Sequence, residues 1–64
     1  MAELLVRLDE LLSARSAARD MPRALDRLVA GEVKQLVLTT NGRPRAVMLT
    51  VERYEQLLAQ EARA

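Results

Sequence analysis

Apolar and polar positions change their period along this chain, and each change marks an element. Leu4, Leu5, Leu8, Leu11 and Leu12 fall at i, i+1, i+4, i+7 and i+8, with Glu3, Arg7, Asp9 and Glu10 on the other side. That stripe predicts a helix over residues 2–12, open to extension through the alanines that follow. Asp20-Met21-Pro22 reads as a break and a restart. Aspartate caps helix starts, and proline is accommodated in a first turn, where its missing N–H needs no partner. Met21, Ala24, Leu25, Leu28 and Val29 then recur at spacings of three and four, and Gly31 stands where a helix end favours glycine. A second helix is predicted over 21–30.

Past Gly31 the helical period is lost. "KQLVLTT" and "RAVMLTV" are rich in β-branched and aliphatic residues and flank "NGRP". Asn-Gly is a strong hairpin signal because both residues tolerate positive φ. An antiparallel hairpin is predicted within 35–50, its strands at about 35–40 and 45–50. Leu36, Val37 and Leu38 are consecutive, as are Ala46 to Leu49. Continuous apolar strands predict burial on both faces, which needs more protein than one chain of this size supplies. Thr50 caps a last helix over 51–62, with Val51, Tyr54, Leu57 and Leu58 as its apolar face. The capping-box position holds Arg53, so only half of that motif is present. The fold class is α+β in a single domain, residues 1–64: N-terminal helices, a hairpin forming a small antiparallel sheet, and a C-terminal helix.

Size sharpens the need for a partner. A chain of 64 residues buries only about 60% of its unfolded surface and is marginal alone. There is no cysteine or histidine, so a disulfide is excluded and the usual zinc ligand sets are absent. Half the residues are apolar, yet the only aromatic is Tyr54. Oligomerisation is the remaining way to bury so much aliphatic surface, so a homodimer or larger assembly is predicted, the alternative being a marginal monomer. The predicted dimer core is Leu25, Leu28, Leu36, Leu38, Val47, Leu49 and Tyr54.

The net charge of +1 conceals an asymmetry. Residues 13–45 carry Arg15, Arg19, Arg23, Arg27, Lys34, Arg43 and Arg45 against Asp20, Asp26 and Glu32, whereas both flanks are acidic. A basic middle is a weak electrostatic footprint, and a dimer doubles it. No apolar run approaches a membrane span. Glu3 and Arg7 interrupt the N-terminal leucines, unlike a secretory signal. A cytoplasmic protein without membrane partners is expected.

Catalytic chemistry is poorly supplied. No Gly-rich phosphate loop or metal-ligand cluster is present, and Ser13 and Ser16 have no base nearby. The chain reads as a non-enzyme without cofactor or metal. The sharper signal is arginine at every fourth position: Arg15, Arg19, Arg23 and Arg27. The break near Met21 divides them into two pairs. One reading is a solvated helix face, with Asp26 as a local partner for Arg23 and Arg27. The other is a grip on a polyanion. Guanidinium stays charged and donates two parallel hydrogen bonds to phosphate, and Arg15 and Arg19 have no acidic residue at i±3 or i±4.

Residues 28–57, "LVAGEVKQLVLTTNGRPRAVMLTVERYEQL", resemble the Phd/YefM family, the antitoxins of bacterial toxin–antitoxin modules. Five features of that pattern occur in order. They are a helix ending in Gly31-Glu32, a strand, the turn Asn41-Gly42-Arg43-Pro44, the Ala46-Val47 strand, and a helix with Glu52, Tyr54 and Leu57 in an E-x-Y-x-x-L signature. The resemblance implies a small sheet shared across a tight homodimer, binding to operator DNA, repression of the chain's own operon, and a cognate toxin as a further partner. The family's S-x-A-R motif, whose arginine faces DNA, has its likeness in Ser16 to Arg19. Counting back from Gly31 puts Ala18 at the arginine position, so Arg19 stands one residue late. The family also begins with a strand just before that motif, here about Leu11 to Ala14, where the leucine periodicity predicts helix. Its long toxin-binding tail is expected to be missing from these 64 residues. Thr39 and Thr40 stand where the family commonly carries arginine before the turn.

The DNA contacts expected on this reading are Arg15, Ser16, Arg19, Asn41 and Arg43. The alternative is an antitoxin-like interaction module that does not bind DNA and docks a partner through the leucine-rich N-terminal helix or the Leu57/Leu58 helix.

Overall fold

The computed structural model describes residues 7–63. Within them the chain runs from a short 3-10 turn, Leu8–Glu10, into strand β1 (Leu11–Ser13), then helices α1 (Ala14–Arg19) and α2 (Met21–Val29). The hairpin β2 (Leu36–Thr40) and β3 (Arg43–Met48) follows, and helix α3 (Val51–Arg63) ends the chain. The fold is α+β, as the pattern predicted, with a correction at each end of β3 and a larger one at the N-terminus.

The helix predicted over 2–12 is reduced to the 3-10 turn at Leu8–Glu10 and replaced by strand at Leu11 and Leu12, with Arg7 in neither; residues 2–6 lie outside the described residues. Leu11 and Leu12 enter the sheet beside β2, pairing in parallel as Leu11↔Val37, Leu12↔Leu38 and Ser13↔Thr39. A pair of adjacent leucines satisfies a helical stripe and a strand alternation equally, and here the ladder offered by β2 decides. Ser13 also stops any helix from passing through. Its backbone is extended (φ −66°, ψ 147°) and its Oγ accepts the Ser16 amide at 3.1 Å, capping α1. The strand that the family resemblance implied before Ser16 is therefore present. The sheet is mixed, in the order β1-β2-β3, and only the hairpin half is antiparallel.

The hairpin turn behaves as Asn-Gly predicts: Asn41 has φ 51° and Gly42 φ 74°, the positive pair that a two-residue I′ turn requires. Because the turn takes only those two residues, β3 begins at Arg43, earlier than the 45–50 predicted, and Leu49 and Thr50 leave the strand to start α3. Leu38 pairs with Ala46 and Thr39 with Pro44, so Arg45 is the extra residue of a bulge. Pro44 is tolerated because β3 is an edge strand.

Both helix ends near α2 have identifiable causes. Asp20 separates α1 from α2, but its side chain makes none of the predicted capping bonds. At the other end Gly31 adopts φ 80°. The Gly31 amide donates to the Leu28 carbonyl at 3.1 Å and the Glu32 amide to the Arg27 carbonyl at 3.0 Å, which together form a Schellman ending. Thr50 caps α3 as predicted, its Oγ1 accepting the Arg53 amide at 3.1 Å.

One face of the sheet carries the core. Ala24 and Leu28 of α2 pack with Val33 and Leu36, flanked by Leu12 and Met48. Register explains the grouping: Leu12 lies opposite Leu38, which shares a face with Leu36, and Leu36 lies opposite Met48. The opposite face holds the row Leu11–Val37–Val47. Val37 is 1% exposed and Leu36 fully buried, so the start of β2 is covered on both faces by the chain itself, without the partner its apolar run was expected to need. In β3 Val47 is 51% exposed within one chain.

Candidate nucleic-acid interface

The parallel pairing of β1 with β2 directs the C-terminal ends of both strands to one rim of the sheet. β1 delivers Ser13 and the start of α1 there, and β2 delivers Thr39, Thr40 and the hairpin turn. The result is an open cleft of about 430 Å³ lined by Ser13, Ala14, Arg15, Thr39, Thr40 and Asn41. Two of the predicted contacts, Arg15 and Asn41, are thus brought together from distant points of the sequence. Arg43 sits directly after the turn, paired with Thr40 in the ladder, and is exposed.

Ser16 and Arg19 are also exposed, one turn apart on α1. Both lie inside the helix. Ser16 faces a neighbouring groove of about 280 Å³, lined with Leu12, Asp20, Arg23, Ala24 and Arg27. Its hydroxyl also accepts from Ser13 Oγ at 2.9 Å. Arg19 occupies the last turn of α1, where a cation is favoured by the helix dipole.

The four regularly spaced arginines do not form one surface. The break at Asp20 places Arg15 and Arg19 on α1 and Arg23 and Arg27 on α2. Arg27 is committed internally: its guanidinium donates to the Asp9 carbonyl at 2.8 Å and lies 3.9 Å from the Glu32 carboxylate. It ties the approach to β1 onto the end of α2. Among the described residues the ion pairs are Arg7–Asp9 and Arg27–Glu32, so Arg15, Arg19 and Arg43 keep their charges unpaired.

Sequence reasoning missed several residues at this rim. Ser13 both caps α1 and lines the cleft, and the Ser13-x-x-Ser16 spacing was its signal. Thr39 and Thr40 line the same cleft beside Arg15. At the far end of β1 the carboxylate of Glu10, 3% exposed, accepts the Arg7 amide at 3.1 Å and Gln35 Nε2 at 2.9 Å. That buried clasp fixes where β1 begins, and hence where Arg15 stands relative to β2.

The predicted dimer core divides in two. Leu28 and Leu36 are buried within the single chain, and Leu38 and Leu49 are half-buried. Leu25, Val47 and Tyr54 are 46%, 51% and 55% exposed. The remaining apolar residues of α3, Val51, Leu57 and Leu58, are exposed with Tyr54. No helix among the described residues is long and apolar enough to cross a membrane. Comparison with protein-family models, curated proteins and solved structures finds no match to this chain.

Proposed function

We propose that this chain is an antitoxin-type DNA-binding protein: a cytoplasmic homodimer that binds operator DNA and represses its own toxin–antitoxin operon, with a cognate toxin as a further partner. The observation that carries the reading is the juxtaposition of Arg15 with Asn41 in one cleft, with Arg43 exposed just after the turn and Arg19 exposed at the end of α1. Unpaired guanidinium groups grip phosphates, and asparagine is suited to a base edge. Further support comes from the order of elements. A strand precedes the Ser16–Arg19 helix, and the Gly31 helix end, the Asn41-Gly42 turn and the Tyr54 helix follow, as in the family that the sequence resembles.

A homodimer supplies two copies of that basic rim, and exposed Leu25, Val47 and Tyr54 are its proposed contact residues. The test is a gel shift with the DNA upstream of the chain's own gene against an unrelated duplex of equal length. Preferential retardation of the upstream DNA is the expected result, and equal or absent binding overturns the operator reading. The second reading, an interaction module without DNA binding, is favoured by the uncovered apolar face of α3. It is the reading that remains if the gel shift fails while the chain still captures a partner protein.

A further inference from the structure

We draw no further inference here: the strongest candidate, the exposed apolar face of α3 formed by Val51, Tyr54, Leu57 and Leu58, is the surface already invoked under the proposed function, and nothing in the structure shows what covers it.

Discussion

Replacing Arg15 and Arg19 together by alanine separates a phosphate grip from a merely solvated basic face. Both side chains are exposed on α1 and make no ion pair among the described residues. Alanine is the strongest helix former, so the double variant keeps its fold. A dimer presenting Arg15, Arg19 and Arg43 twice neutralises about six phosphates, which predicts a slope of log K against log salt near −5 and about a thousandfold loss of affinity between roughly 50 and 200 mM salt. Removing Arg15 and Arg19 leaves about two such contacts, a slope near −2 and only about a tenfold loss over the same range. The assay is fluorescence anisotropy of a labelled duplex carrying the upstream DNA, with circular dichroism and sedimentation confirming an unchanged dimer. If the double variant binds with the slope of the unmodified chain, neither arginine touches phosphate and the cleft at the sheet rim is not the interface. Arg27→Ala is the informative contrast. Its guanidinium is held by the Asp9 carbonyl, so that change lowers thermal stability and leaves the salt slope unchanged.

Four other perturbations test the surrounding structure. Val47→Glu places a charge on the exposed β3 surface proposed for the dimer, and sedimentation equilibrium should show single chains at concentrations where the unmodified protein is paired; unaltered association excludes β3 from the contact. Gly31→Ala meets no atom within 4 Å, so its cost is the positive φ alone, about 1–2 kcal/mol by urea unfolding, and an unchanged midpoint contradicts the Schellman ending. Glu10→Leu leaves the Arg7 amide and Gln35 Nε2 without their acceptor and should cost about 1–3 kcal/mol, whereas Glu10→Gln keeps an oxygen and loses less; equal losses would show that the clasp does not depend on hydrogen bonding. Thr50→Ala removes the α3 cap and should cost about 1 kcal/mol, read as reduced helicity and a lower melting midpoint.

The hairpin and the last two helices were legible because their signals are local. Asn41-Gly42 needs only its own two dihedrals to specify the turn, and Gly31 and Thr50 act within one turn of their helices. The N-terminus was misread because its outcome depends on a partner far along the chain. Leu11 and Leu12 fit helix or strand until β2 lies alongside, and only the pairing with Val37 and Leu38 discriminates. The candidate site was half legible for the same reason. Composition and spacing drew attention to Arg15 and Arg19, but no local rule brings Arg15 and Asn41 to one cleft; that placement follows from the parallel register. Arg27 shows the converse. Its spacing matched the other arginines, yet its carbonyl partner at Asp9 is invisible to any argument from neighbouring positions.

The distribution of buried residues bears on why the proposed function needs two chains. Among the described residues the buried apolar set is Ala17, Ala24, Leu28, Val33, Leu36 and Val37, and alanine contributes little burial. The molecule is correspondingly flat, 16 Å in its thinnest extent, with a radius of gyration of 12.6 Å, where a compact chain of this length has about 10–11 Å. Helix α3 shows the shortfall most clearly. At thirteen residues it is at the margin of what stands alone in water, where helices are held chiefly by packing of an apolar face. Its own apolar residues are exposed. The same chain carries Arg15, without an ion pair among the described residues, at the sheet rim where β1 and β2 end together, and Arg43 just past the hairpin turn. A second copy seated on the exposed β3 and α3 residues would cover the surface that one chain leaves open. On the proposed function it would also bring a second basic rim into fixed relation with the first, so the association that covers those residues would be the one that assembles a two-fold surface for DNA.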